Sequence, residues 1–271
     1  MSQEAELKLE ELLRKAFEEP AYRAQFLNEL LDSDIYVAGN SEHFSGEGIQ
    51  EHITGKDETI QIKTWPHEEF EQIIPFFTSL DKMRLALGEG EHFVRFSCRV
   101  FFKMTLGTLL ILNPESELQK PFYPEEIQEL LYGEDASFKA YTLEEDTQIL
   151  LGQPEEQPDY MLDQLSKVLL NYPAVRAAYL AQMHNPAIDQ EPSHIIALLF
   201  DDVLETDKVQ KLHQHIAQVA KDSSEEVKPL DLLHLDKKEK EGIHAYFFNE
   251  VEAFYQKPKE KKKGFFAKLF S

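Results

Sequence analysis

A short polar break divides the apolar pattern of this chain into two series. The segment GQPEEQPDY, residues 152–160, has two prolines, a cluster of acids and no large aliphatic residue, which is typical of a linker. On both sides of it, short apolar runs alternate with stretches whose apolar residues recur at helical spacing. In a chain of 271 residues the break therefore predicts two domains, over residues 1–151 and 161–256, followed by a tail over 257–271.

The second series predicts an αββαβα order of about 100 residues, the size of a small α+β domain. Its elements are a helix over 161–170, strands over 175–183 and 195–200, a helix with Val209, Leu212, Ile216 and Val219 on one face, a strand over 230–235 and a helix over 237–255. We therefore predict an α+β protein with two small domains of mixed helices and strands.

The first series predicts two opening helices and then strands that alternate with short helices. A long loop is expected over 40–57, and a strand over 73–77 is expected to be broken by Pro75. Thr78 and Asp81 fit a capping box for the helix that follows. Further strands are predicted over 35–39, 59–65, 93–96 and 108–112, with helices over 100–105 and from Pro124 to Gly133.

The charge of the chain is divided unequally. The chain carries −22, but residues 257–271 hold six lysines and one glutamate, so the other 256 residues carry −27. A body this acidic repels phosphate backbones, which argues against nucleic-acid binding. The sequence has no apolar run of about 18 residues, and Cys98 is its only cysteine. These features predict a cytoplasmic protein without an internal disulfide.

The tail combines a basic run with an apolar stripe. Phe265, Phe266, Leu269 and Phe270 fall on one face of a helix, and the cations Lys261, Lys262, Lys263 and Lys268 accompany them. So short a helix is unstable alone in water, so we expect it to form on a surface. That surface can be the inner face of an anionic membrane, a groove on a protein partner, or the acidic body itself. The segment KKKGFFAKLFS resembles the membrane-targeting C-terminal helix of MinD-type ATPases, but the chain lacks their Walker loop.

The body contains no recognisable catalytic constellation, and we predict no catalytic, cofactor-binding or metal-binding residues. Cys98 lies between Arg95 and Arg99 at a predicted helix start, a setting that can activate a thiol. A buried and inert cysteine is the favoured interpretation, because free cysteines are among the most buried residues. His213 and His215 are two residues apart on a predicted helix, so they point to different faces.

Three segments carry a resemblance to a known family. They are IIPFFTSLDKMRLAL, FFKMTLGTLLILNP and KPFYPEEIQELL, and in this order and spacing they resemble the SseB family of bacterial proteins. The resemblance extends over nearly the whole chain and implies an N-terminal and a C-terminal SseB domain. The family name refers to enhanced sensitivity to serine, and the resemblance implies no reaction.

We therefore predict a non-enzymatic interaction or regulatory protein. In this hypothesis the acidic body offers a surface to an unidentified protein partner, and the tail localises the chain on a membrane or docks on a partner. The alternative is an enzyme or small-molecule sensor connected with serine metabolism, and only the family name supports it.

Overall fold

The computed structural model describes residues 3–41, 60–70, 72–132, 149–184, 191–202, 205–224 and 228–258. The described chain forms two compact units, which divide between Lys139 and Ala140. Residues 40–41 of the predicted long loop belong instead to a strand, whereas residues 42–57 of that loop and the tail residues from 259 onward lie outside the described residues. The predicted linker overlaps ordered elements, because Gly152 ends a strand and residues 159–160 begin a helix.

The first unit begins with helices α1 (Gln3–Glu18) and α2 (Arg23–Leu31), joined by a 3-10 turn at Pro20–Tyr22. Helix α1 buries Leu9, Leu12, Leu13 and Ala16, whereas Phe17 is exposed, and α2 buries Phe26, Leu30 and Leu31. The remaining elements of the unit are β1 (Asp34–Ser41), β2 (Ile60–Ile62), β3 (Trp65–Pro66), β4 (Gln72–Phe76), α3 (Leu80–Leu87), β5 (Phe93–Ser97), α4 (Cys98–Met104), β6 (Leu109–Leu112), β7 (Lys120–Phe122) and α5 (Pro124–Tyr132).

Two sheets organise this unit. One is antiparallel with the strand order β2-β1-β5, and the other has the order β3-β4-β6-β7. In the second sheet β4 and β6 are parallel, and both edge strands are antiparallel to their neighbours. A bridge between Tyr36 and Phe77 links the sheets. The core between them takes residues from α1, α2, α4 and α5 and is rich in phenylalanine: Phe26, Phe76, Phe96, Phe101, Phe102 and Phe122.

Two local expectations, for β4 and for the cap of α3, are wrong. Pro75 does not break its strand, because β4 continues through it and Pro75 pairs in register with Ile111. The cap of α3 is Ser79, whose Oγ accepts a hydrogen bond from the Lys82 N–H, so Thr78 is not the capping residue. The strand β7 was not predicted, since its three residues include Pro121.

The second unit contains the predicted αββαβα order within a five-stranded sheet. Its elements are β8 (Leu150–Gly152), α6 (Asp159–Leu169), β9 (Val175–His184), β10 (Ser193–Phe200), α7 (Thr206–Asp222), β11 (Leu230–His234), α8 (Gly242–Glu250) and β12 (Ala253–Gln256). The sheet order is β11-β10-β9-β12, and β8 pairs with the other end of β9.

The last predicted helix is too long, because its end forms a strand. The helix α8 stops at Glu250, and Val251 already has an extended backbone. The strand β12 then pairs with β9 and is followed by Lys257, whose N–H donates to the Arg176 carbonyl. The aromatic residues of AFYQ therefore satisfy their backbone in a sheet rather than in a helical turn.

Both faces of the central strands in this unit are buried. Ala177, Ala181, Ile195, Ala197 and Leu199 pack with Phe247 of α8 on one face. The intervening residues Ala178, Leu180, Ile196 and Leu198 are buried as well, which leaves the opposite face for α6 and α7. In the described part of the chain, no helix is long and apolar enough to span a membrane.

Candidate functional site

The four-stranded sheet of the first unit has two different faces. Phe76, Leu110 and Phe122 point into the phenylalanine-rich core. Because side chains alternate along a strand, the residues between them point to the other side. That second face carries three registered pairs, Ile73 with Leu109, Pro75 with Ile111, and Ile111 with Pro121. Leu109 is buried there and Ile111 is half-buried.

A groove of about 550 Å³ lies on this second face. Leu109, Ile111 and Pro121 form its apolar floor, and the segment 66–70 and Tyr123 form its walls. The ring centroids of Phe70 and Tyr123 are 6.3 Å apart, and Tyr123 is 47% exposed. The volume is in the range of ligand pockets, and the polar residues His67, Glu68, Glu69 and Gln119 line the groove beside its apolar floor. We call this site the β6 groove.

Prolines lie in both edge strands beside the β6 groove. Pro66 belongs to the edge strand β3 and Pro121 to the edge strand β7. Proline has no backbone N–H, so neither edge offers a complete row of donors to an added strand. Strand addition at either edge is therefore disfavoured.

The rim of the groove is acidic. Glu68 and Glu69 are both exposed, and His67, Gln119 and Tyr123 are the other polar residues of the lining. The Nδ1 atom of His67 accepts a hydrogen bond from the Glu69 N–H at 3.2 Å. In its neutral form the imidazole therefore carries its proton on Nε2, where it can donate to a bound group. The ten lining residues include no lysine or arginine.

A second polar cluster lies at the ends of β4 and β6, but it is closed. The Thr78 N–H donates to Asn113 Oδ1 at 3.0 Å, and Asn113 Nδ2 donates to Thr78 Oγ1 at 3.0 Å. The hydroxyls of Thr78 and Ser79 donate to Glu10 Oε1 of α1. Thr78 and Asn113 are fully buried, so this cluster joins two strands and a helix and offers no surface to a ligand.

Cys98 is buried in the phenylalanine-rich core. Its exposed fraction is zero, and burial raises the pKa of its thiol well above the ordinary value. The two neighbouring arginines are engaged elsewhere, Arg99 with Asp32 at 2.9 Å and Arg95 with Asp34 at 3.4 Å. A thiol that stays protonated and has no access to solvent lacks the properties of a nucleophile.

The other predicted site residues lie apart from the groove. The tail residues Lys261, Lys262, Lys263, Phe265, Phe266, Lys268, Leu269 and Phe270 are outside the described residues. His213 and His215 point to different partners, His234 and Tyr172 respectively. Among the residues that the structure describes, no three metal-ligating side chains come together.

The chain matches family models over most of its length. The model described as the SseB protein N-terminal domain matches residues 9–129, and that described as the SseB protein C-terminal domain matches residues 143–257. The chain belongs to the SseB family. Protein SseB of Escherichia coli (strain K12) and Protein SseB of Shigella flexneri are each 30% identical to it over 256 residues, which is 94% of this chain and 93% of each relative. None of the solved structures matches the chain.

The segments that carry the SseB resemblance build both the groove and the polar cluster. The segment FFKMTLGTLLILNP supplies Leu109 and Ile111 to the groove floor and Asn113 to the cluster. The segment KPFYPEEIQELL supplies Pro121 and Tyr123. Sequence reasoning missed the groove because its lining residues are ordinary apolar and acidic types, and only strand pairing brings segments about 40 positions apart onto one face.

Proposed function

We propose that this chain is a non-enzymatic interaction or regulatory protein of the SseB family that holds a short segment of a protein partner in the β6 groove. The observation that supports this proposal is an open apolar floor with an acidic and aromatic rim on the first unit. A peptide with a large apolar side chain next to lysine or arginine fits both parts, because apolar burial drives insertion and the rim favours cations.

The chemistry of the described residues supports binding rather than catalysis. Cys98 is buried and hard to ionise, and the hydroxyls of Thr78 and Ser79 are held by Glu10 and Asn113. Neither arrangement presents a nucleophile next to a base at an open surface. The groove contains exposed carboxylates and an imidazole, which are sufficient to orient a cationic ligand.

Peptide binding to the full-length chain tests this proposal. A fluorescent peptide with phenylalanine and leucine flanked by lysines is expected to bind, and its charge-reversed counterpart with glutamates is not. Tyr123→Ala and the double change Glu68→Lys with Glu69→Lys are expected to weaken binding at least about tenfold. Tyr160→Ala and the double change Glu155→Lys with Glu156→Lys are matched controls, because these residues are exposed and lie in the other unit. Equal loss in the controls would contradict the proposal.

A sensor of free serine is the second candidate, because the groove volume also suits a small molecule. The lining argues against it. Glu68 and Glu69 can pair with an ammonium group, but no lining lysine or arginine is available for the carboxylate. We therefore expect millimolar serine to leave the melting temperature of the chain unchanged, whereas a binding ligand would raise it. A serine-dependent increase that Tyr123→Ala abolishes would favour the sensor.

The tail is proposed to add a second contact, with the inner face of an anionic membrane as its surface. Its lysines and its apolar stripe each favour that boundary, by about 1 kcal/mol per lysine near the surface. Truncation of the tail should spare the sheet that precedes it. Lys257 donates from its backbone to Arg176 and from its side chain to Asp201, so a shortened chain should end at Pro258.

Flotation with anionic vesicles tests the membrane contact. The full-length chain is expected to float with vesicles that contain phosphatidylserine and to stay behind with neutral vesicles. The chain ending at Pro258 is expected to lose flotation. If both chains behave alike, the membrane contact is excluded, and a partner groove or the acidic body becomes the surface for the tail.

A further inference from the structure

Two histidines from different elements of the second unit meet at its surface. His213 lies in α7, and His234 is the last residue of β11. Their Nε2 atoms are 2.8 Å apart, and their ring centroids are 5.0 Å apart at an interplanar angle of 63°. The chain has ten histidines, and this contact joins two that are 21 positions apart in the sequence.

The surroundings hold both rings in place. His234 is opposite Leu198 in the parallel pairing of β10 and β11, which fixes its backbone. The ring of Phe200, at the end of β10, meets the ring of His234 edge-on at a centroid distance of 4.9 Å. His213 is anchored by the helix that buries Leu212 and Ile216 beside it. The pair is therefore set by a sheet and a helix rather than by loops.

Burial favours the neutral form of both imidazoles. Burial lowers the pKa of His213 to about 4, with His234 contributing, and burial also lowers the pKa of His234. In the contact, one Nε2–H donates and the other Nε2 accepts. A neutral imidazole binds a metal through the ring nitrogen that carries no proton.

We infer that His213 and His234 form a binding site for a divalent transition-metal ion, with the ion replacing the shared proton between the two Nε2 atoms. The ring that donates moves its proton to Nδ1, which leaves a lone pair on each Nε2 and keeps both rings neutral. Bonds of about 2.1 Å in tetrahedral geometry require the two nitrogens to be about 3.4 Å apart. The present distance needs only a small opening, and His234 is exposed enough to allow it.

A structural zinc centre has four protein ligands, whereas this site supplies two. The ion would therefore keep open coordination positions. Two imidazoles suit zinc, copper or nickel, and water completes the remaining positions. An ion with open positions can also accept a ligand from outside the chain, such as an imidazole or carboxylate. His215 is separate from this site, because its Nδ1 contacts the Tyr172 hydroxyl at 2.7 Å.

Calorimetric titration of the full-length chain with zinc chloride tests the site. Binding with a stoichiometry of one is expected, and His213→Asn and His234→Asn are each expected to weaken it at least about tenfold. His92→Asn is the control, because His92 is an exposed histidine of the first unit, and it should bind as the unchanged chain does. Unchanged affinity in both site variants would overturn the inference, as would the absence of zinc binding to the original chain at about millimolar concentration.

A second measurement covers the case in which a variant is less stable. Zinc should raise the melting temperature of the original chain and of His92→Asn, because an ion that binds the folded state stabilises it. For His213→Asn and His234→Asn, the melting temperature is measured with and without zinc. Only the zinc-dependent change is compared, so a lower melting temperature of the variant itself does not affect the result. A zinc-dependent increase of the same size in these variants would contradict the site.

Discussion

The two faces of the β3-β4-β6-β7 sheet use the same strands for different purposes. The core face carries Phe76, Leu110 and Phe122 and is sealed by helices α1, α2, α4 and α5. The other face carries Ile111 and Pro121, and it forms the floor of an open groove. Alternation along a strand therefore separates the residues that hold the unit together from those that line the open groove. Substitutions on the two faces should have different consequences.

The largest difference is expected in thiol reactivity. Cys98 is fully buried in the phenylalanine-rich core, so its thiol should react only when the chain unfolds. The reaction should be at least about 10³-fold slower than that of a free thiol. An Ile111→Cys variant in a Cys98→Ala background should react at a rate close to that of an accessible thiol. Labelling followed by mass spectrometry measures both rates. Similar rates for the two positions would mean that the groove face is closed or the core is open.

Removing a core ring should cost the most stability. Phe76 is fully buried and contacts the rings of Phe101, Phe102 and Phe122 at centroid distances of 5.5, 5.7 and 5.8 Å. Phe76→Ala is expected to lower the free energy of unfolding by about 3–5 kcal/mol. The groove-face change Ile111→Ala should cost only about 1 kcal/mol, because Ile111 is half-buried. Urea denaturation measures both, and equal costs would remove the distinction between the faces.

The polar cluster should give an intermediate cost. Asn113 has φ 48°, in the left-handed region, and its amide satisfies the buried N–H and hydroxyl of Thr78. Asn113→Ala should lower the free energy of unfolding by about 2–3 kcal/mol, because it leaves a buried donor unpaired and strains the backbone. Asn113→Gly keeps the backbone conformation and loses only the amide contacts, so it should cost less. A larger cost for glycine would show that backbone strain is not part of the effect.

The smallest stability effect is expected for Tyr123 on the groove wall. Tyr123→Ala should change the free energy of unfolding by no more than about 0.5 kcal/mol, since nearly half of the side chain is exposed. The same variant should lose peptide binding at least about tenfold. Chemical denaturation and fluorescence anisotropy on one preparation measure the two quantities. A large loss of stability would assign Tyr123 to the core instead of the groove.

The apolar pattern predicted most helices and strands but not their exact ends. A long stripe such as that of α1 predicts its helix well, because apolar residues at helical spacing over several turns form one continuous face only on a helix. The strands β7 and β12 were missed, since each contains only three or four residues and depends on pairing with a distant strand. The predicted cap of α3, Thr78, lies one position before the observed cap, Ser79, because both residue types are good caps. Only the tertiary structure shows that Thr78 is hydrogen-bonded to Asn113 instead.

The sequence by itself determined the α+β class, the αββαβα order of the second unit and the membership in the SseB family. These depend on local spacing and on segments that are contiguous in the chain. The tertiary structure decided that Cys98 is buried and that Thr78 is hydrogen-bonded to Asn113. It also decided that Ile111 lies in the floor of an open groove and that His213 contacts His234. Each of these needs residues that are far apart in sequence, and only strand pairing and helix packing bring such residues together.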